Sequence, residues 1–425
     1  MRDEGKRRVA LVGTGHRGTG MWGKELIAEC GAWADLVALC DRNPLRLERA
    51  RQAVGVEAAL YTDLAAMLRE VKPETVIVCT PDVQHDDDIV LALGAGADVI
   101  TEKPMATTAA KCGRILDAEK RTGRRVDVAF NYRYSPTAQR LKELLISGVI
   151  GEVTSVDFHW YLDTKHGADY FRRWHANLAN SGSLFVHKAT HHFDLLNWYL
   201  ESDPTEVFAR GSLRHYGRNG PFRGPRCRAC PHAPRCDYYM DISADPWLDM
   251  LYEDPSAEDG YVRDACVFRE EIDIPDTMSA NILYESGAQV SYSLNTYMPI
   301  EGHHLAFNGT KGRIEIRQYE RQRWTVPPAD EILLMRNFTD IERIWVQHRE
   351  GGHHGGDRVL HAMLFRPGME DPLGQRASAR AGAVSVLTGV AAVESMRADR
   401  SVRLDSLLAL PSRPAQGEAP ARKAS

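Results

Sequence analysis

The sequence predicts an α/β protein in which a doubly wound parallel sheet is followed by a second domain built on an antiparallel or mixed sheet. Short apolar runs alternate with helical patterns through the first 130 residues, which is typical of a parallel sheet covered by helices. From about Gly151 the pattern changes to longer strands joined by short turns. The chain has 425 residues, more than a single hydrophobic core usually organises, so we expect two domains.

The first domain is predicted to span residues 1–130 and to consist of βαβ units. Its candidate strands are Arg8–Val12, Leu36–Cys40, Thr75–Cys79, Asp98–Glu102 and Val126–Phe130. Its candidate helices are Gly18–Glu29, Pro44–Val54, His85–Leu93 and Ala109–Thr122. Helices between parallel strands place the loops that follow the strands at one edge of the sheet, where ligands bind in such folds.

The second domain is predicted to span residues 131–410. Its clearest elements are the candidate strands Val153–Trp160, Met278–Tyr284 and Ala288–Asn295, and the helix His191–Tyr199. Residues 217–266 are rich in Pro, Gly, Cys and charge, which indicates an inserted segment with little regular structure. Residues 411–425 form a polar tail that we expect to be disordered.

The composition favours a small-molecule partner. With 43% hydrophobic and 26% charged residues the chain is typical of globular proteins, and its net charge of −5 provides no basic field for nucleic acid or anionic lipid. No apolar run approaches the roughly 20 residues that span a bilayer, and the polar start of the chain lacks a signal-peptide core. We therefore expect a soluble, cytoplasmic protein whose eight cysteines are thiols or metal ligands rather than disulfides.

A glycine-rich turn follows the first candidate strand. It reads Gly13-Thr14-Gly15-His16-Arg17-Gly18, a G-x-G-x-x-G between a strand and a helix, as dinucleotide sites require for a tight turn and close approach to a pyrophosphate. Asp41, after the second strand, is placed to bind ribose hydroxyls and repel a 2′-phosphate, which favours NAD over NADP. Arg42 adjoins it and would support NADP instead. The alternative is that the glycine turn and a helix-capping Asp41 bind no ligand.

The tripeptide Glu102-Lys103-Pro104, at the end of the fourth candidate strand, resembles the signature of the Gfo/Idh/MocA oxidoreductases. Further matches, spread over essentially the whole chain, are Cys79-Thr80-Pro81 with His85 after it, Asn131-Tyr132-Arg133-Tyr134, and Gly309-Thr310-Lys311-Gly312. The resemblance implies a Rossmann domain, a C-terminal domain with an open sheet, and oxidation or reduction of a hydroxyl-bearing carbon of a sugar or cyclitol. It also implies assembly into dimers or tetramers.

The resemblance places Lys103 near the nicotinamide and the substrate hydroxyl, and adds Thr80, Pro81, His85 and Glu102 to the expected cofactor site. Physical reasoning agrees for the lysine, because an ammonium at the carboxyl end of a parallel strand can orient a hydroxyl and stabilise alkoxide character. A surface lysine at a strand end is the alternative without a function.

A histidine cluster supplies the candidate proton acceptor. His191 matches the histidine of the family's Asp-x-x-x-His stretch, and His187 occupies the Asp position, which departs from the usual carboxylate and histidine pairing. An imidazole has an unperturbed pKa near 6.5, which suits removal of a hydroxyl proton. On a helix His187 and His191 share a face, and the cation of Lys188 disfavours protonation of the imidazoles. The alternative for any single histidine is a core residue whose hydrogen bonds are satisfied within the protein.

Two weaker motifs accompany this cluster. Arg172-Arg173-Trp174-His175 is suited to binding sugar hydroxyls or to forming a solvated helix face, and the sequence leaves both open. Gly351-Gly352-His353-His354-Gly355-Gly356-Asp357 is either a loop lining the pocket or a plain connection.

The insertion carries Cys227-x-x-Cys230 and then Cys236, a spacing suited to tetrahedral thiolate ligation of a metal. Cys266 is the best candidate for the fourth ligand, with His232 as the alternative. We expect structural zinc first and an iron–sulfur cluster second, against free thiols or a redox disulfide. The remaining cysteines, which fit core or strand positions, are Cys30, Cys40, Cys79 and Cys112.

The sequence therefore predicts an NAD-dependent dehydrogenase of a sugar, sugar derivative or cyclitol, in which Lys103 orients the hydroxyl. His191 moves the proton, assisted by His187 and Lys188. One alternative is a glycoside-cleaving enzyme that keeps NAD bound and oxidises the sugar transiently. Another is a non-catalytic NAD-binding sensor.

Overall fold

A computed structural model describes residues 5–413. Of the tail predicted to be disordered, residues 411–413 have no regular secondary structure, and residues 414–425 lie outside the described residues.

Within the described residues the strands are β1 Arg7–Val12, β2 Ala34–Cys40, β3 Ala59–Tyr61, β4 Thr75–Val78, β5 Asp98–Thr101, β6 Val126–Val128, β7 Val153–Asp163, β8 Pro204–Ser212, β9 Thr277–Tyr284, β10 Gln289–Met298, β11 Glu301–Gly309, β12 Gly312–Arg321, β13 Ala329–Arg336, β14 Ile341–Gln347, β15 Ala377–Ser378 and β16 Val402–Arg403. The α-helices are α1 Leu26–Cys30, α2 Pro44–Val54, α3 Leu64–Val71, α4 His85–Gly94, α5 Ala109–Thr122, α6 Pro136–Ile146, α7 His166–Arg172, α8 Leu178–Ser181, α9 Leu184–His187, α10 Ala189–Leu200, α11 Pro246–Leu248, α12 Ser256–Asp259, α13 Gly356–Phe365 and α14 Ala379–Ala398.

The first sheet confirms the predicted doubly wound parallel arrangement. Across the described residues its strand order is β15-β6-β5-β4-β1-β2-β3, so the order reverses between β1 and β4. Strands β1 to β6 pair in parallel, whereas β15 returns from the end of the chain and pairs antiparallel with β6. One apolar cluster lies on each face of this sheet.

The second sheet confirms a large, mainly antiparallel open sheet. Its order in the described part of the chain is β14-β13-β12-β11-β7-β10-β9-β8-β16, and β7 with β10 is its parallel pair. Helix α10 packs with α14 against this sheet, and their apolar side chains join the inner face of the strands in one core.

The helices α2 and α5 begin and end where the sequence predicts. Asn43 caps α2 by accepting a hydrogen bond from the Arg46 amide, and Thr108 does the same for α5 at Lys111. A glycine with positive φ follows each helix, Gly55 in one case and Gly123 in the other. Side-chain caps and glycine stops are local signals, so the sequence alone defines these bounds.

The helix predicted over Gly18–Glu29 has a different character. Gly18–Glu25 is a π-helix, which continues as α1 after Glu25. Single π turns occur often at functional sites, and this one follows directly on the glycine turn. The prediction also missed β3, which has three residues, and α3, although the apolar residues Leu64, Met67, Leu68 and Val71 of α3 have helical spacing.

The insertion 217–266 has only short helical turns within the described chain, as its composition predicted. An isolated antiparallel bridge between Arg226 and Ala265 joins its two ends. Between those ends, Ile242, Leu251 and Tyr252 form a small apolar cluster of their own.

In residues 5–413 we find no helix with both the length and the apolar content needed to cross a lipid bilayer.

Candidate functional site

The predicted cofactor residues lie at the edge of the first sheet where its strand order reverses. The glycine turn follows β1, Thr80 and Pro81 follow β4, and Lys103 follows β5. Neighbouring parallel strands end at the same edge, so these turns are adjacent. Open α/β sheets bind ligands at this position.

Close packing accounts for the glycines of the turn. Gly13 has a φ of +88°, and a Cβ there would lie 2.6 Å from the carbonyl carbon of Cys79. A Cβ on Gly18 would lie 2.0 Å from the oxygen of Gly13. Any larger residue at either position would push the turn away from β4 or unwind the helix start.

Asp41 is held against the turn. Its Oδ2 accepts hydrogen bonds from the amide and hydroxyl of Thr14, at 2.9 and 3.1 Å. Its Oδ1 lies 3.3 Å from Nη1 of Arg46. The carboxylate is therefore fixed next to the place where a nucleotide ribose lies in such folds, while the neighbouring Arg42 is exposed.

Glu102 and Arg17 join the glycine turn to the turn that carries Lys103. Arg17 Nε donates to Glu102 Oε1 at 2.7 Å, and Trp22 Nε1 donates to the same oxygen at 2.9 Å. Arg17 also lies 3.4 Å from Asp357. Arg17 and Glu102, which were both predicted to bind the cofactor, therefore bind each other in the structure.

His85 closes the other side of this turn. Its Nδ1 lies 2.8 Å from the oxygen of Pro104, and its Nε2 lies 2.8 Å from the oxygen of Thr80. These two contacts of His85 join the turns that follow β4 and β5. The Lys103–Pro104 peptide bond is cis.

Lys103 lies at the centre of the site. Its Nζ donates to the backbone oxygen of His187 at 3.0 Å. Burial lowers the pKa of Lys103 to about 8, an effect that Asp82 opposes and Lys188 reinforces. An ammonium with this pKa is mostly protonated at pH 7 and gives up its proton more easily than an exposed lysine does.

His187 makes a pair with Asp82 that the sequence analysis missed. His187 Nδ1 lies 2.5 Å from Asp82 Oδ2, and both residues are buried. Burial and the Lys103 cation hold the pKa of His187 well below its usual range, so the imidazole is neutral at pH 7. A carboxylate and histidine pair is therefore present, but it joins Asp82 to His187 instead of a carboxylate at position 187 to His191.

His191 and Lys188 lie against the aromatic rings of Tyr132 and Trp160. The centroid of the His191 ring is 4.5 Å from that of Tyr132, and its buried Nδ1 has no hydrogen-bond partner among the described residues. Lys188 Nζ donates to the Tyr132 hydroxyl at 3.1 Å and lies 4.9 Å from the ring centroid of Trp160. A buried ring nitrogen without a partner is typical of a site that a ligand completes.

The other histidines of the cluster have different surroundings. His175 lies 4.1 Å from His187 between ring centroids, and its buried Nδ1 also has no partner in the described chain. His192 pairs with the Tyr292 hydroxyl at 2.8 Å in the core, and Asp194 forms a buried ion pair with Arg133 at 2.6 Å. These contacts make His192 and Asp194 parts of the packed core.

Sequence reasoning missed Asp82, Tyr132 and Trp160 as parts of the site. Asp82 directly follows the Cys79-Thr80-Pro81 motif, which was a usable signal, because the residue after that motif lies at the same sheet edge. Trp160 gives no local signal, since β7 buries a second aromatic residue, Phe158, on the same face.

The two weaker motifs are only partly at the site. Arg172 is buried against the insertion, where its Nη1 donates to Cys227 Sγ at 3.3 Å, so a solvated helix face is wrong for this residue. The loop of residues 351–357 does line the site, because His353 lies 5.1 Å from Tyr132 between ring centroids and 3.0 Å from Asp357.

The four cysteines proposed as metal ligands, Cys227, Cys230, Cys236 and Cys266, surround one small cavity and form no disulfides with one another. In residues 5–413, however, no group of three or more His, Cys, Asp or Glu side chains is arranged to hold a metal ion. The predictions of zinc and of an iron–sulfur cluster therefore have no support in the structure.

Comparison with known families identifies the class of protein. Residues 7–130 match the oxidoreductase family with an NAD-binding Rossmann fold, and residues 142–404 match the C-terminal alpha/beta domain of the same family. The chain belongs to this family, Gfo/Idh/MocA, as its motifs predicted, and it is an NAD-dependent oxidoreductase.

Individual relatives agree with this placement. The chain is 38% identical to YteT of Bacillus subtilis (strain 168), an oxidoreductase by name, over 90% of this chain and 94% of YteT. It is 27% identical to an inositol 2-dehydrogenase/D-chiro-inositol 3-dehydrogenase of Lactiplantibacillus plantarum (strain ATCC BAA-793 / NCIMB 8826 / WCFS1), over 56% of this chain and 68% of that protein.

Solved structures share the fold. The scyllo-inositol dehydrogenase of Lactobacillus casei with bound NAD(H) and scyllo-inositol has a TM-score of 0.64 at 18% identity, covering 94% of this chain and 99% of that one. The aldose-aldose oxidoreductase of Caulobacter crescentus complexed with glycerol has a TM-score of 0.65 at 18% identity, with the same coverage.

Proposed function

We propose that this protein is an NAD-dependent dehydrogenase that oxidises a hydroxyl-bearing carbon of a sugar, sugar derivative or cyclitol, or reduces the corresponding ketone. The observation that carries the proposal is the convergence of Lys103, the Asp82–His187 pair and His191 beside the glycine turn. The names of its relatives, which include inositol dehydrogenases and an aldose oxidoreductase, support the same substrate class.

The residues at the sheet edge fit NAD. Gly13 and Gly18 allow the tight turn and the close packing of the helix start, and Asp41 presents a fixed carboxylate to a ribose. That carboxylate repels the 2′-phosphate of NADP. When bound, NAD accepts the hydride from the substrate carbon.

Lys103 binds and orients the reacting oxygen. Its ammonium lies beside His187, to whose backbone oxygen it donates a hydrogen bond. Burial strengthens the interaction of this cation with a substrate oxygen that gains negative charge as the hydride leaves. Because its pKa is lowered to about 8, this donor is present at pH 7 and is lost above pH 8.

His187 is better placed than His191 to accept the hydroxyl proton, and its partner Asp82 sets its tautomer. Burial raises the pKa of Asp82 well above its ordinary value, and the Lys103 cation opposes this effect. In the ionised form of Asp82 the carboxylate accepts the Nδ1 proton of His187, which leaves Nε2 as the basic nitrogen. His191 then holds the substrate with its unpartnered Nδ1, in place of the proton transfer that the sequence assigned to it. Lys188 is fixed on Tyr132 and Trp160 and acts in binding.

A small cavity of about 30 Å³ lies against the rings of Tyr132 and Trp160, which contact His191 and Lys188. His303, Gln318 and His353 also line it, together with aliphatic side chains. A sugar or cyclitol ring is larger than this cavity, so the proposal does not depend on it.

The proposal is tested by mixing the purified protein with NAD and a panel of cyclitols, aldoses and glycosides. We expect NADH to accumulate with at least one of these compounds, and Lys103→Ala to abolish it while Lys120→Ala, an exposed control, does not. Release of an aglycone without net NADH would instead support the glycoside-cleaving alternative. Binding of NAD without turnover of any compound would support the sensor.

A further inference from the structure

A segment of the insertion lies across the glycine turn. We call residues 245–261 the strap; it contains α11, a π-helix over Asp249–Glu253, and α12. Two of its side chains reach the same residue of the turn. The Tyr252 hydroxyl accepts a hydrogen bond from the His16 amide at 2.7 Å, and Trp247 Nε1 donates to His16 Nδ1 at 2.8 Å.

The strap is also anchored beside the ribose-binding carboxylate. Asn43 Nδ2 donates to the Pro255 oxygen at 2.7 Å, and Arg46 Nε donates to the Leu251 oxygen at 3.1 Å. Arg46 in addition bridges Asp41, at 3.3 Å, and Asp259 of the strap, at 2.8 Å. Asn43 and Arg46 are both buried, so these contacts belong to a packed interface rather than to a loose loop.

The Tyr252 hydroxyl lies beside the place where the pyrophosphate is expected. The amides of a glycine turn at a helix start are the donors that dinucleotide sites offer to the pyrophosphate, and His16 supplies one of them. A Cβ at position 15 would lie 3.0 Å from the hydroxyl oxygen, so Gly15 is what lets the phenol approach.

Tyr252 lies beside two arginines that are each already paired with carboxylates, Arg46 with Asp41 and Asp259, and Arg263 with Asp169. Its ring lies 5.5 Å from the guanidinium carbon of Arg46 and 5.9 Å from that of Arg263. A phenol can accept and donate at the same time, and within the hydrogen bonds of the described residues this hydroxyl only accepts. Its own proton is available for an acceptor that the protein does not supply.

We propose that Tyr252 is a cofactor-binding residue, which relays the hydrogen bond of the His16 amide to a pyrophosphate oxygen of NAD, and that the strap retains the cofactor. The inference rests on the proposed function, because it takes NAD as the bound nucleotide. The consequence is slow release of NAD(H), limited by movement of the strap.

The test compares Tyr252→Phe with the unaltered protein by calorimetry, using ADP-ribose and adenosine as probes. Only ADP-ribose contains the pyrophosphate. Loss of one hydrogen bond to a charged group should raise the Kd for ADP-ribose about tenfold or more and leave that for adenosine unchanged. Tyr239→Phe, an exposed tyrosine of the same insertion, is the matched control and should change neither Kd.

A second measurement follows the strap itself. In a stopped-flow chase of bound NADH by excess NAD, Tyr252→Phe and Trp247→Phe should each release NADH several-fold faster. Trp247 is only half-buried, so this variant keeps the test open even if Tyr252→Phe unfolds.

Different outcomes overturn different statements. If the unaltered protein binds neither ADP-ribose nor NADH, the proposed function fails. If it binds both, the inference is overturned by an ADP-ribose Kd that is unchanged or lower in Tyr252→Phe, by an equal loss of adenosine binding, or by an unchanged NADH release rate in Trp247→Phe.

Discussion

The protonation state of Lys103 changes near pH 8. Its pKa is lowered to about 8 by burial, so the ammonium is complete well below pH 8 and disappears as the pH rises above it. We expect kcat/KM for ketone reduction, which uses the protonated form, to fall above pH 8. In Lys103→Arg, where the cation persists, this inflection should be absent from the pH profile even if the rate is lower.

The profile also provides the contrary result. If the unaltered protein and Lys103→Arg show the same inflection near pH 8, another group titrates there and the assigned role of Lys103 is wrong.

The Asp82–His187 pair predicts the effect of a substitution at Asp82. Asp82→Asn removes the carboxylate that orients the imidazole and sets its tautomer, so kcat should fall about a hundredfold or more with a smaller change in KM. Asp87→Asn, at an exposed acid in the first turn of α4, is the control. Steady-state kinetics of both variants measure the effect, and a normal kcat in Asp82→Asn would make His187 a structural residue.

At the scale of elements, one ion pair holds two functional turns together. Arg17 and Trp22 both donate to Glu102, and Glu102 is buried. Burial raises the pKa of Glu102, but the Arg17 charge and hydrogen bonds outweigh this and hold it below its ordinary value. The pair therefore contributes stability at neutral pH that is lost as the pH falls through the pKa of the carboxyl group.

Arg17→Met should leave that carboxylate without its cation. We expect a loss of about 3 kcal/mol in the free energy of unfolding, as for other broken buried pairs, together with weaker NAD binding because the glycine turn loses its tie to β5. Urea unfolding at pH 7 measures the first effect. The loss should shrink at acidic pH, where Glu102 is protonated, and a constant loss would show that the ion pair is not its cause.

The elements also show which features local sequence determines. The bounds of α2 and α5 follow from their capping residues and terminal glycines, which act within a few positions of the chain. The turn residues proposed for the cofactor site lie at one edge of the sheet, as predicted, because each directly follows a parallel strand. The π character of Gly18–Glu25 was not found, since it depends on how the helix start packs on the glycine turn.

Contacts between distant segments account for what the sequence could not reveal. Asp82 and His187 are far apart in the chain, and nothing near either residue indicates the other. The insertion was predicted to lack regular structure, which is largely true, but its approach to His16 depends on the folded second domain. The cysteine spacing predicted a metal, yet the described side chains are not arranged to hold one.

At the scale of the whole molecule, the open edge of the second sheet bears on assembly. β14 is an edge strand, and the large apolar side chains exposed there and in the adjoining turn are Phe338, Ile341 and Trp345. An exposed edge with apolar side chains is a site of association. If the chain forms the homo-oligomer that the sequence predicts, we expect this edge to be its interface.

This assembly is measurable in solution. Sedimentation of the unaltered protein should give a dimer or tetramer, and Trp345→Glu should shift it towards the monomer, because the charge would be buried in the interface. Leu91→Glu, which changes an exposed apolar residue on α4, should leave the mass unchanged. A monomer in the unaltered protein would contradict this expectation.

The central claim, that Lys103 and the Asp82–His187 pair perform hydride-coupled proton transfer on a sugar or cyclitol, is tested most directly by NADH formation. The measurement uses purified protein, NAD and the best compound of the substrate panel, with Lys103→Ala and Lys120→Ala in parallel. We expect NADH from the unaltered protein and Lys120→Ala, and a loss of about a thousandfold or more in Lys103→Ala. Equal NADH formation by all three proteins would contradict the claim.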